Sequence, residues 1–268
     1  MLVVTLGDLL LDVVVRLDEP LAAGADALAQ TRTSPGGQAA NVAAWVAAVG
    51  GEARCVARRG EDAPGVWLAA ELTARGVDVI GPTAGRNGVV VSLVAPDGER
   101  TMASDRGTAT LLEPADLDPE WFACDALHIS GYSLLASPMD AAAVRAAELA
   151  RARGARLSVD LSAWTRIRAY GAARFRGQIE ALRPDVVFGN AEEWDEIGTV
   201  GSTRVEKHGA GGFDVIRGDA VERCQARDAS VVDTTGAGDA LAAGFLVGGV
   251  ELAAEAAARC VAQIGAMP

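Results

Sequence analysis

Aromatic residues make up only 4% of the 268 positions, and there are just two histidines. Cysteine is also sparse. Cys55, Cys124, Cys224 and Cys260 form no Cys-x-x-Cys pair and have only His128 and His208 to join them, so they read as reduced core thiols rather than a metal site. Positive charge is in deficit: a net charge of −12 argues against a nucleic-acid or anionic-membrane surface, both of which need clustered cations to neutralise phosphates. No basic leader precedes Leu2–Leu6, Leu9–Leu17 is interrupted by Asp12 and Arg16, and no run reaches the roughly 20 apolar residues of a membrane span. No Gly-x-Gly-x-x-Gly follows the first apolar run, which speaks against a Rossmann dehydrogenase. With repeats and low-complexity tracts also missing, a cytoplasmic enzyme is the default expectation. The composition, 50% hydrophobic and 22% charged, suffices for one α/β domain over residues 1–268.

Strand-like and helix-like segments alternate along the chain, which predicts a mainly parallel central sheet flanked by helices on both faces. Strands are expected at Leu2–Leu6, Arg54–Ala57, Val77–Ile80, Leu127–Ser130, Arg156–Leu161 and Asp185–Phe188. Helices are expected at Pro64–Arg75, Met139–Arg153 and Tyr170–Leu182, near Ala240 onward, and from Glu251 to about Ile264. Residues 12–34 and 87–105 break the pattern with short alternating runs, the second around the hairpin dipeptide Asp97-Gly98. Together they predict a small β lid outside the main sheet. Asp8 and Asp12 follow the first strand, where ligands gather in open α/β sheets, and are candidates for binding polar hydroxyls.

The chemistry concentrates in Asp233-Thr-Thr-Gly-Ala-Gly-Asp239. Gly236, Ala237 and Gly238 leave backbone N–H groups uncovered before an apolar helix, a geometry that binds phosphate oxygens. Asp239 stands at the mouth of that cradle, where a carboxylate can accept a hydroxyl proton. Upstream, Gly36 and Gly37 allow close backbone approach to a ligand, and Gln38 and Asn41 open a helix with donors and acceptors for sugar hydroxyls. Asn190 can cap a helix over Glu193. Lys207 precedes a Gly209–Gly212 turn and brings positive charge to an acidic chain. Arg106 follows the hairpin and either reaches a substrate or pairs at the base of the lid.

In this order the motifs resemble the ribokinase-like, or PfkB, carbohydrate kinase family along nearly the whole chain. The resemblance implies transfer of the γ-phosphoryl group of ATP to a primary hydroxyl of a monosaccharide or sugar acid, with Asp239 as base and the cradle amides holding the phosphoryl group. It places Asp8, Asp12, Gly36, Gly37, Gln38, Asn41 and Arg106 at the sugar, and Asn190, Lys207, Gly209 and Gly212 at the nucleotide. It further implies Mg²⁺ held through water by Asn190 and Glu193, and a K⁺ site involving Asp233 and Thr235. A nucleoside kinase and a non-catalytic sugar- or nucleotide-binding paralogue stand as alternatives, and an exposed lid edge is compatible with a homodimer. Two departures from the family are expected to matter. Residues 191–206 are too few for a full helix and strand, and the chain ends at Pro268 without a closing segment to complete the cation ligands.

Overall fold

An apolar run can lie at the centre of a sheet only if helices cover both faces, and Leu2–Leu6 meets that condition. A computed structural model describes residues 1–97 and 99–268. The first half contains β1 (Leu2–Leu6), β2 (Leu10–Leu17), β3 (Ala29–Gly36), α1 (Gln38–Ala48), β4 (Glu52–Val56), α2 (Ala63–Ala74), β5 (Val77–Ile80), β6 (Val89–Val94) and β7 (Arg100–Asp105). There follow β8 (Ala126–Ser130), α3 (Met139–Arg151), β9 (Arg156–Asp160), α4 (Trp164–Tyr170), α5 (Ala172–Leu182), β10 (Val186–Asn190) and α6 (Ala191–Ile197). The last elements are β11 (Thr203–Lys207), β12 (Phe213–Arg217), β13 (Ala220–Cys224) and α7 (Ala237–Val261).

Nine strands form the main sheet in the order β13-β12-β11-β10-β9-β8-β1-β4-β5. The strands from β11 to β5 run parallel, and β12 and β13 add an antiparallel edge. Along β1 the period of two sends Val3 into one core layer, with Val42 and Trp45 of α1 and Leu241 of α7. Val4 and Leu6 point into the other, with Ala146 of α3 and Phe175 and Ile179 of α5. Because the strands are parallel, Leu6, Ser130, Asp160, Asn190 and Lys207 all finish at one edge of the sheet.

The irregular regions 12–34 and 87–105 become a separate four-stranded sheet, β3-β2-β6-β7. Buried Asn87 ties it to the body: its Oδ1 accepts from the Gly60 N–H at 3.0 Å, and its Nδ2 donates to the carbonyls of Leu9 at 3.2 Å and Gly88 at 3.0 Å. Of the hairpin dipeptide, Gly98 lies outside the described residues; β6 and β7 pair antiparallel, Val94 opposite Arg100.

The structure corrects several expectations. The helix expected over 170–182 begins at Ala172 as α5, after Gly171 with φ 106°, and a separate helix, α4, precedes it. Segment 191–206 is short but not deficient in strand: it holds α6, and β11 pairs with β10 over their full five residues. α7 starts at Ala237 rather than near Ala240 and joins the two expected C-terminal helices across a break at Gly249 with φ 76°. It is long and apolar enough to cross a membrane by length and composition, yet half of its most apolar stretch is buried inside the protein.

Candidate active site

Backbone geometry builds the cradle. Gly236 takes φ 80°, which glycine adopts without a Cβ penalty, and a Cβ there would stand 2.6 Å from the Ala266 Cα. The C-terminal residues back this turn: Trp45 Nε1 donates to the Ala266 carbonyl at 2.7 Å, and the Gly265 N–H to Asp233 Oδ2 at 3.0 Å. A helix leaves its first-turn N–H groups without helical partners. Here the Ala237 N–H reaches the Thr234 carbonyl at 3.3 Å, a long bond with which an incoming phosphoryl oxygen can compete.

Asp239 stands in the first turn of α7 and accepts from Asn41 Nδ2 at 2.8 Å. Burial, then the like charge of Asp160, pushes its carboxyl up to about 7; the Asn41 bond and Lys207 oppose the rise, and Asp8 adds to it. A carboxyl poised there can take a proton near neutral pH.

Lys207, the only lysine of the chain, crosses from the end of β11 to Asp160 at the end of β9, with its Nζ 3.1 and 2.8 Å from the two carboxylate oxygens. Burial works against its charge, but Asp160, Glu193 and Asp239 outweigh it and hold the ammonium above the ordinary lysine value. The same Nζ lies 3.2 Å from where a Gly238 Cβ would be. A fixed cation therefore adjoins the cradle, and glycine at 238 leaves it room.

On the opposite side, Asp8 is buried and pairs with Arg106, whose guanidinium carbon stands 3.9 Å from the centre of the Tyr132 ring. Asp8 Oδ1 and Asn41 Oδ1 are buried acceptors without a donor. Asp12, on β2, faces Gly36: a Cβ on Gly36 would lie 2.1 Å from its Oδ2. Burial first and then Asp8 push Asp12 up to about 7, against the influence of Arg106. Gly37 has φ 97° and presses on the Asp8 carbonyl, where a Cβ would come within 2.5 Å. Gln38 differs from its expected role in one respect: its Oε1 is taken by the hydroxyls of Ser130 and Ser162, each at 2.6 Å, so only its carboxamide NH₂ is left for a ligand. A cavity of about 360 Å³ opens beside Asp8 and Arg106, with Tyr132, Ser104 and Arg166 in its wall. Asp239, Asn41 and Asp12 are not in that wall; Asp8, which is, acts electrostatically on both Asp239 and Asp12.

Asn190 and Glu193 form a reciprocal capping box at the start of α6, with Asn190 Oδ1 accepting from the Glu193 N–H and Glu193 Oε2 from the Asn190 N–H, both at 2.9 Å. Burial raises the carboxyl of Glu193, with Lys207 opposing. Gly209 and Gly212 close the turn between β11 and β12, where the His208 N–H meets the Gly212 carbonyl at 2.9 Å. A Cβ on Gly212 would come within 2.0 Å of the Cys224 carbonyl, so that glycine serves the fold, whereas Gly209 has open space around it. Asp233 Oδ1 accepts from the N–H and hydroxyl of Thr235 at 2.9 and 2.7 Å. With the Gly265 N–H on Oδ2, this carboxylate organises the loop through N–H and O–H donors.

Sequence reasoning missed Asp160, Ser130, Ser162 and Tyr132. The first two end strands at the ligand edge, the positional signal that singled out Asp8.

The model for the pfkB family of carbohydrate kinases matches residues 1–267. An ATP-dependent ribose-1-phosphate kinase from Halopiger xanaduensis is 32% identical, over 93% of this chain and 86% of that protein. Fructokinase-1 from Oryza sativa subsp. japonica is 31% identical over 91% of this chain and 82% of its own length. The crystal structure of an adenosine kinase from Sinorhizobium meliloti superposes with a TM-score of 0.87 at 25% identity, covering 99% of this chain and 95% of that one. With the family match running from the first strand to the end of α7, the chain belongs to the pfkB family of carbohydrate kinases, phosphotransferases with an alcohol group as acceptor.

Proposed function

We propose that the protein transfers the γ-phosphoryl group of ATP to a primary hydroxyl of a sugar or sugar derivative, with Asp239 taking the hydroxyl proton. The observation that carries this reading is the half-buried carboxyl of Asp239, held by Asn41 at 2.8 Å, raised to about 7 and set in the first turn of α7 beside Lys207. At neutral pH a large fraction is ionised and able to accept a proton, while the amides of Gly236, Ala237 and Gly238 and the Lys207 ammonium counter the charge on the transferring group. Asp8 Oδ1 and Asn41 Oδ1 are the acceptors that a polyhydroxyl ligand satisfies, and their burial without donors supports such an acceptor. Asp12, Gly36, Gly37, Gln38 and Arg106 complete this side.

Asn190, Lys207 and Gly209 are assigned to the nucleotide, with Gly212 shaping the turn that presents Gly209. The hard-oxygen donors of Asn190 and Glu193 fit a magnesium ion held through water, because Glu193 commits only Oε2 to the Asn190 N–H. Bound there, the ion would neutralise phosphate charge. Asp233 and Thr235 are the candidates for a potassium site, and no step is assigned to that ion.

Two named relatives act on sugars or sugar phosphates, and one neighbour on adenosine. A sugar is favoured over a nucleoside by the cavity wall. Among the described residues its one aromatic side chain is Tyr132, which already has the Arg106 guanidinium stacked on one face and so offers at most the other to a base. ADP release across pentoses, hexoses, sugar phosphates, sugar acids and nucleosides tests the proposal. Turnover of a sugar compound is expected, and turnover of nucleosides alone, or of nothing, would overturn it.

A further inference from the structure

We propose that the acceptor carries an anionic substituent, a phosphate or a carboxylate, at the end remote from the hydroxyl that is phosphorylated, and that Arg166 binds it. This deepens the kinase reading and rests on it for the position of the reacting hydroxyl.

Among the described residues, three charged side chains line the cavity: Asp8, Arg106 and Arg166. Two of them cancel, since Arg106 pairs with Asp8 and is fixed over Tyr132. Arg166 is different. Among the described residues its guanidinium has no ion pair and no hydrogen bond. Arg168, two residues on and so on another side of the same helix, pairs with Glu196 and lies 4.8 Å from the Trp164 ring centre. In a chain of net charge −12, this cavity keeps one uncompensated positive charge. Thr110 and Thr165 line the same wall. A guanidinium presents a planar fork of donors matched to carboxylate and phosphate oxygens, and neutral sugar hydroxyls do not use its charge.

The layout sets which end of the ligand is charged. Asp239 and Asn41 stand outside the cavity wall, and Asp8, within that wall, is near enough to act on Asp239 electrostatically. A ligand with its reacting hydroxyl at Asp239 therefore extends past Asp8 into the cavity, and its distal end meets Arg166.

The test compares ribose 1-phosphate and 2-keto-3-deoxygluconate with neutral ribose and fructose, by steady-state kinetics and by calorimetric binding without ATP. Wild type, Arg166→Ala and Arg166→Lys are used. One of the two anionic compounds is expected to be the best acceptor, and which one it is distinguishes phosphate from carboxylate. Arg166→Ala should raise its KM roughly 10–100-fold, the worth of a charge-assisted hydrogen bond. kcat should stay nearly unchanged, neutral acceptors should be unaffected, and Arg166→Lys should recover part of the loss. A neutral sugar as best acceptor, or an equal effect of Arg166→Ala on charged and neutral compounds, would overturn the inference. If no compound is phosphorylated, the kinase reading fails. Calorimetry then decides this inference separately: tighter binding of an anionic compound, lost in Arg166→Ala, upholds it, and indifference to charge or to the substitution refutes it.

Discussion

Asp239→Asn should make the protein more stable, and the gain should grow with pH. Raising a carboxyl from its ordinary 3.8 to about 7 costs the folded state about 4 kcal/mol once the group is fully ionised. The sign follows from proton counts. Between the two values the folded chain holds more protons than the unfolded chain, so this group's contribution to stability falls as pH rises from about 4 to about 7 and is level above that. Asparagine removes the charge and keeps the shape. Its amide oxygen can still accept from Asn41 Nδ2, although the bond, 2.8 Å to a carboxylate in the native site, becomes neutral and gives back about 1 kcal/mol. The net expectation is a gain of about 3 kcal/mol at pH 8 and about 1 kcal/mol or less at pH 5. Asp12, also pushed up to about 7, contributes equally to both proteins and cancels. Urea unfolding of wild type and variant at the two pH values measures the difference. A variant no more stable than wild type at pH 8, or a gain of the same size at both pH values, would refute the reasoning.

Lys207→Met and Asp160→Asn should move the pH profile of kcat/KM in opposite directions. The wild-type acid limb should lie near the Asp239 value of about 7. Removing the cation favours the neutral carboxyl and shifts the limb upward, while removing the like charge shifts it downward, each by on the order of one pH unit. Shifts in the same direction would show that the two charges do not act on Asp239. Gly236→Ala forces a side chain onto a backbone at φ 80° and within 2.6 Å of the Ala266 Cα. It should cost about 1–3 kcal/mol of stability and raise the KM for ATP. A neutral substitution would mean that the cradle does not depend on that conformation.

The architecture was legible where one period dominates. Leu2–Leu6 and Val77–Ile80 form the strands expected of them, because short runs rich in β-branched residues and bounded by turn residues have few other uses. The regions 12–34 and 87–105 were readable as strands apart from the main sheet, but not their order, since β2 pairs with the distant β6 as well as with β3. Boundaries failed where glycine acts by conformation. Gly171 separates α4 from α5 at φ 106°, while Gly249 breaks α7 at φ 76° without ending it, and neither outcome follows from the residue type. Within the site, local motifs were visible and long-range partners were not. Asn41 and Asp239 were each picked out, yet their hydrogen bond joins residues 198 positions apart. Asp160 shares with Asp8 a place at a strand end on the ligand edge, but that place alone does not set it apart from the other strand ends. Its importance comes from Lys207, two strands away in the sheet. Gly212 carried a motif signal but is explained by the Cys224 carbonyl behind it.

The most direct test of the account follows the labelled γ-phosphoryl group of ATP in a single turnover, with wild type and Asp239→Asn each saturated with ATP and the best acceptor. A positioned base is worth on the order of 10²–10⁴ in rate. The account predicts transfer to the acceptor's primary hydroxyl by wild type, and transfer slowed by at least about a hundredfold in the variant, with acceptor binding retained. Transfer by the variant at the wild-type rate would contradict it.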